Sequence, residues 1–279
     1  MKAAEECYYC LEGLLRQAAG LATEETDLRA KVIEEGLLLL NREFSTDKTS
    51  IAVATPLHRL VRELTGNVDP YLGIKAAELE MAEEIQHSLD ENPEGDLRKC
   101  LVYAVRGNSI DFFKDMKEIM VSMSGPVEFA IDDTAKLEQK LEGAKIILYL
   151  ADNAGEVPFD LPLVRWLGGY APVTYVVKGS PVQDDITLSD LERFGMAEEL
   201  PRVISTGTDT PGVDMEIASA EFKAEFVAAD IVLAKGMGYW ETLSELPAQG
   251  KVFHLLKAKC GPVANSLGVA LNSYVASLR

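Results

Sequence analysis

The 279-residue chain is poor in side chains on which many enzymes rely. It has three histidines, His58, His87 and His254, and none stands beside a Ser or Cys in a recognisable nucleophile motif. A histidine-activated nucleophile is therefore disfavoured, and His254, inside an apolar run, reads as a packed core residue. Four cysteines are too few for a disulfide framework in a chain of this size, which fits a reducing compartment. Cys7-Tyr-Tyr-Cys10 is a C-x-x-C, but no second pair or matched histidines of a structural zinc site follow it. Two packed cysteines on one helix face is the simpler reading, with metal or redox chemistry the other.

Positive charge is also scarce. The chain has 27 Lys and Arg against 45 Asp and Glu, for a net charge of −18 and a pI near 4.6. That balance opposes attraction to nucleic acid, which is not an expected partner. The same field repels a small phosphorylated ligand unless local cations intervene. No run of about 18 apolar residues and no basic-then-apolar amino terminus is present, so neither a membrane span nor a signal peptide is expected, and the expected location is cytoplasmic.

What remains is a globular composition, 47% hydrophobic and 26% charged. Residues 1–125 read as a helical lobe: Leu11, Leu14 and Leu15, then Leu28, Val32, Ile33, Leu37 and Leu40, form apolar stripes between charged residues. Breaks fall at 20–27, 45–50, 66–70 and 92–95, and the third precedes a helix over about 71–88. A helix from about residue 97 stops at Arg106-Gly-Asn-Ser-Ile-Asp111, where Gly107 is available for a left-handed cap. Read alone, Asn108 and Asp111 are a helix stop and the cap of the next helix.

Residues 126–279 alternate short apolar runs with helical stretches, the pattern of a parallel α/β sheet. Ile146 to Leu150 is a continuous β-favouring block that ends in Ala-Asp152-Asn153-Ala-Gly-Glu156. Val173 to Val177 ends in Lys178-Gly-Ser-Pro, with Asp184-Asp185-Ile-Thr187 soon after. Arg202 to Ser205, Ile231 to Ala234 and Val252 to Leu256 end in Thr206-Gly, Lys235-Gly236-Met-Gly and Lys257-Ala-Lys-Cys-Gly. The stretch from 264 to 279 reads as a final helix over the sheet.

In open α/β sheets the crevice outside the strand carboxyl ends binds ligands. Five polar ends at one sheet edge predict such a crevice, with carboxylates and an amide suited to a hard divalent cation and lysines and glycine amides suited to an anion. That is a composition for a phosphate-ester site. Asp152 or Asn153 as a plain helix cap is the competing reading. The first loop lacks G-x-G-x-x-G, against a nicotinamide site, and no D-x-D loop follows a strand, against a haloacid-dehalogenase phosphatase.

Asp152-Asn-Ala-Gly-Glu156, Lys178-Gly-Ser-Pro-Val-x-x-Asp185-x-Thr187 and Lys235-Gly-Met-Gly-x-x-Glu241 resemble the metal-dependent damage-control phosphatases, formerly a domain family of unknown function. The amino-terminal C-x-x-C and Arg106-Gly-Asn-x-x-Asp111 resemble the prokaryotic and archaeal branch. The resemblance implies a Rossmann-like, mostly parallel sheet flanked by helices, with an amino-terminal α-helical lobe. It implies a divalent metal (Mn, Co, Ni or Mg) held by Asp152, Asn153 and Asp185; Asp184 is adjacent, and Asp185 is taken because it stands two residues before Thr187. Lys235 matches a phosphate-contacting lysine, with Glu156, Asn108, Asp111 and the Gly236 amide lining the same cleft. The implied reaction is hydrolysis of small phosphate monoesters such as sugar phosphates and phosphorylated or damaged metabolites, with Asp111 or Glu156 aligning the water. A protein-carboxyl methyltransferase and a non-enzymatic metal- or metabolite-binding module remain as alternatives.

Overall fold

Amphipathic helices open the chain: α1 (Cys7–Ala22), α2 (Thr26–Glu43), α3 (Ser50–Thr65), α4 (Leu72–Ser88) and α5 (Leu97–Gly107). The computed structural model describes residues 1–89, 93, 95–110, 119, 121, 123 and 125–279. Leu15, Val32, Val61 and Ile74 meet in one cluster between these helices, and Leu11, Leu40, Val53 and Leu57 in a second. Thr49 and Asp96 cap α3 and α5 by accepting from the Ala52 and Lys99 amides, and Gly66, at φ 69°, ends α3 in the left-handed region.

The remaining elements are β1 (Phe129–Asp132), α6 (Thr134–Leu141), β2 (Ile147–Leu150), α7 (Val157–Gly168), β3 (Val173–Val177), α8 (Leu188–Arg193), β4 (Arg202–Ser205), α9 (Ala220–Ala228), β5 (Ile231–Lys235), α10 (Gly236–Leu243), β6 (Val252–Lys257), α11 (Gly261–Leu267) and β7 (Tyr274–Leu278). The seven strands form one sheet in the order β1-β7-β6-β5-β2-β3-β4. The five expected strands, β2 to β6, are mutually parallel; β7 runs antiparallel to β6, and β1 runs parallel to β7. The expected α/β class and mostly parallel sheet are therefore present.

Strand parity explains the layering. Ile147, Tyr149, Tyr175, Ile231 and Leu233 face α5, α6 and α7, whereas Leu148, Leu150, Val176, Val232 and Ala234 face α9 and α10. Both faces of the central strands are buried, which is why their sequences are continuous apolar runs rather than alternating ones.

Two expectations fail. The carboxyl-terminal stretch is not one helix: Gly268, at φ 69°, stops α11, and Tyr274–Leu278 pairs with β6. The side-by-side hydrogen bonds to β6 outweigh a weak helical pattern. Gly107 is not a left-handed cap, for it is the last residue of α5 and outside the positive-φ set. It is small because α7 packs close: a Cβ there would lie 3.2 Å from Phe159 Cβ and 3.4 Å from Glu156 Cα.

Candidate active site

The chain path switches direction at β2. From β2 it moves through β3 and β4 on one side, and β5 and β6 lie on the other, so the crevice opens where β2 and β5 end together. Leu150 pairs with both Val176 and Ala234, which brings Asp152 level with Gly236 two residues further on. Gly236 has φ +78°, and a Cβ on it would lie 1.7 Å from Asp152 Oδ2. Only glycine leaves room for that carboxylate against the β5 end.

The loop after β3 folds back onto the loop after β2. Ile186 N donates to Asp152 O at 3.0 Å, Ala154 N donates to Asp184 O at 2.8 Å, and Asn153 forms an antiparallel bridge with Asp185. Asp152, Asn153 and Asp185 are thereby collected from two strand ends. The returning loop is anchored by a capping box, in which Thr187 accepts from Asp190 N and Asp190 accepts from Thr187 N. Asp190 in turn holds the buried Lys75 ammonium of α4 at 2.8 Å, and Asp69 holds it at 3.1 Å. In this way α4 fixes the loop that carries Asp185.

These groups line a cavity of about 500 Å³. Its polar floor consists of Asn108, Asp152, Asn153, Asp184, Asp185 and Gly236, with Lys257 and Lys259 beside it. Asn108, Asp152, Asn153, Asp185 and Gly236 all border this one cavity. Asp111 lies outside the described residues.

Glu156 and Lys235 sit behind the floor rather than in it, and neither is among the residues that line the cavity. The fully buried Lys235 ammonium donates to Glu156 Oε2 and Asp160 Oδ1, both at 2.7 Å, and to Ala104 O at 3.0 Å. All three ammonium donors are used. Asp160 also accepts from the Tyr175 hydroxyl at 3.0 Å, and Glu156 accepts from the Asn108 amide, so this network supports Asn108 from below. Gly155, read from the sequence as a turn residue, instead lies in a single 3-10 turn that packs against α4, where a Cβ would stand 2.9 Å from Glu78 Cβ.

The floor is electrostatically frustrated. Asp185 is 2% exposed, and its Oδ2 accepts no hydrogen bond from the described residues, with the Lys178 ammonium 3.6 Å away. Burial pushes the Asp185 carboxyl up to about 7, with Lys178 partly offsetting it and Asp184 adding to it. Burial, then the Asp185 and Glu156 charges, hold the Asp152 carboxyl well above its ordinary range. Lys178 donates to Gly212 O at 2.7 Å and lies 4.0 Å from the Tyr239 ring centroid, so it too is held within the fold.

Two crowded carboxylates and an amide, with an orphan carboxylate oxygen among them, suit a hard divalent cation that takes oxygen ligands. Among the described residues, no group of three or more His, Cys, Asp or Glu side chains is arranged to hold a metal. Asp152 and Asp185 contribute two such carboxylates, with Asn153 bridged to Asp185.

Several lining residues were not singled out from the sequence. Gln183 borders the cavity in the left-handed region, at φ 47°, and its amide donates to His58 Nε2 at 3.1 Å. Burial, helped by Arg62, lowers the His58 pKa to about 4, so the ring is a neutral acceptor. Arg62 also bonds Pro181 O and Asp209, which ties α3 to the same loops. From the other side, α1 supplies Cys7, Cys10, Leu11 and Leu14, and α3 supplies Ile51 and Ala54.

Residues 3–275 match the profile of the damage-control phosphatase ARMT1-like domain. The chain belongs to this family. It is similar to a damage-control phosphatase of Pyrococcus horikoshii, at 33% identity over 99% of this chain and 97% of that protein. A damage-control phosphatase of Archaeoglobus fulgidus is 29% identical over 100% of this chain and 99% of its own. The crystal structure of a DUF89 family protein from Pyrococcus horikoshii superposes with a TM-score of 0.90 at 31% identity, covering 100% of this chain and 99% of that one. Among the described residues, no helix is long and apolar enough to cross a membrane.

Proposed function

We propose that the protein is a divalent-metal-dependent phosphomonoesterase acting on small phosphorylated metabolites. The family supports phosphatase chemistry; the metal is our reading of the floor. The observation that carries it is the clamping of the loops after β2 and β3, which sets Asp152, Asn153 and Asp185 side by side at the switch point of the sheet. An acidic floor of this kind attracts no phosphate by itself.

Asp152, Asn153 and Asp185 would hold the cation, Mn²⁺, Co²⁺, Ni²⁺ or Mg²⁺, through their oxygens. When bound, it supplies Lewis-acid polarisation of a phosphoryl oxygen and offsets the anionic charge. The chain's own residues do the rest. Lys257 and Lys259 at the end of β6 border the cavity and give the phosphate its cationic contacts, and the backbone of Gly236, Met237 and Gly238 at the start of α10 adds amide donors. Gly236 keeps the Asp152 carboxylate in place, and the Glu156, Asp160 and Lys235 network keeps Asn108 in place. Asp185 is favoured over Asp184 as a ligand because its carboxylate is buried, with an Oδ2 that accepts no hydrogen bond from the described residues.

The test is phosphate release from sugar phosphates, nucleotides and p-nitrophenyl phosphate by protein stripped of metal and resupplied with each cation. Turnover restored by metal supports the reading; turnover unaffected by stripping removes the metal from it.

A further inference from the structure

We propose that the substrate is a phosphate monoester whose organic part is an uncharged, largely aliphatic chain, lodged against the α1 and α3 side of the cavity. This inference rests on the phosphatase reading for the orientation of the ligand. A phosphate held by the floor and the lysines occupies one end of the cavity and leaves most of its roughly 500 Å³ to the remainder of the molecule.

What that remainder meets is defined by helical spacing. Cys7, Cys10, Leu11 and Leu14 recur at i, i+3, i+4 and i+7 on α1, one continuous stripe, and all four line the cavity. Ile51 and Ala54 of α3 extend it. Leu11 also packs in the core between α1 and α3, while Cys10 is exposed and Leu14 half-buried, so the stripe continues past that core into the wall of the cavity. The C-x-x-C is its first turn. Burial raises the pKa of Cys7 and Cys10 and carries that of Cys260, at the start of α11, up to about 11, so the three thiols present neutral, weakly polar surface.

Beyond the carboxylates of Glu6 and Glu241, few side chains on this side offer a hydroxyl-rich ligand a partner. The Ser50 hydroxyl is committed to the Glu241 carboxylate. Glu6 borders the same end and disfavours a second anionic group, while the Met1 ammonium there is engaged by Glu245 and the Glu241 carbonyl, so a substrate with one phosphate and an uncharged chain fits better than one with two separated phosphates.

The experiment measures kcat/KM for ethyl, butyl, hexyl and octyl phosphate and for a hexose phosphate with one saturating metal, and in parallel the affinity for the matching n-alkylphosphonates by calorimetry. Both quantities are expected to rise with chain length, by up to about fourfold per buried methylene, and octyl phosphate is expected to exceed the hexose phosphate. Leu14→Gln, at a half-buried position, is expected to lower the octyl-to-ethyl ratio about tenfold, and Leu14→Ala serves as a second variant should the first fail to fold. A flat chain-length dependence of both quantities, or a preference for the hexose phosphate, overturns the proposal and leaves the phosphatase reading intact. Length-dependent affinity without hydrolysis of any ester overturns the phosphatase reading, and with it the substrate proposal, and leaves only an aliphatic binding wall.

Discussion

The Lys235 ammonium lies 2.7 Å from the Glu156 carboxylate, and both groups are buried behind the cavity floor. A lysine that reaches substrate and one that anchors a floor predict different mutants. Replacing Lys235 with Met leaves Glu156 and Asp160 as uncompensated buried carboxylates, which costs roughly 3–5 kcal/mol. Urea unfolding of Lys235→Met is expected to register that loss. A rise in KM at unchanged stability would instead place the ammonium on the substrate.

Gly236→Ala probes the floor from the opposite side. The new Cβ would fall 1.7 Å from Asp152 Oδ2 at a position with φ +78°, so the carboxylate must move. Displacement of a positioned group by about 1 Å costs on the order of 100-fold in rate. Metal-dependent kcat is expected to drop by about that factor, with the far-ultraviolet circular dichroism of the native fold retained. Undiminished kcat would show that Asp152 need not lie where Gly236 admits it.

Much of this arrangement is legible in the sequence, and the misses have physical causes. The apolar blocks of β2, β3, β5 and β6 declare themselves because strands buried on both faces are continuous runs. β1 and β7 stay hidden: at the sheet edge, Phe129 to Asp132 alternates half-buried with exposed and is only four residues long. Asp152 and Asn153 are readable from their place after β2, whereas Asp185 comes from the family resemblance, since its place in the sequence does not separate it from Asp184. Lys235 is misjudged because its position at a strand end suggests the crevice, whereas strand parity puts it on the face of Ile231 and Leu233, against α7. The α1 stripe is visible as periodicity, but nothing in one helix tells whether its apolar face meets a core or a cavity.

Charge on the floor gives the protein a pH signature. Below about pH 4 the folded and unfolded chains both hold the Asp185 proton, and above about pH 7 neither does; between these limits the folded chain retains it. Metal-free stability is therefore expected to fall as pH rises across that window, and Asp152, also raised by burial and its neighbours, adds with the same sign. His58 and His254, lowered by burial to about 4 and about 3, act oppositely and cost stability as pH falls below about 6.5. The difference between wild type and Asp185→Asn isolates the carboxylate: thermal unfolding of the variant is expected to lack much of the decline. Parallel pH profiles would contradict the assignment.

Lys259 borders the cavity and enters no ion pair with the described residues, so it is the cation best placed to meet a phosphate without cost to the fold. Loss of a charge-assisted contact is worth about a tenfold change in binding. Lys259→Ala is expected to raise KM for phosphate esters and weaken inhibition by inorganic phosphate by about that factor, at unchanged thermal stability. An unaltered KM would leave the phosphate to Lys257 and the α10 amides.

The central claim is that Asp152, Asn153 and Asp185 act as one oxygen set for a divalent cation. Its most direct test is Mn²⁺ titration of metal-stripped wild type, Asp152→Ala, Asn153→Ala and Asp185→Ala, followed by calorimetry with phosphate release read on the same samples. The account predicts one tight site in the wild type, weakened in all three variants, with turnover lost in step. Full Mn²⁺ affinity and turnover in Asp152→Ala or Asp185→Ala would contradict it.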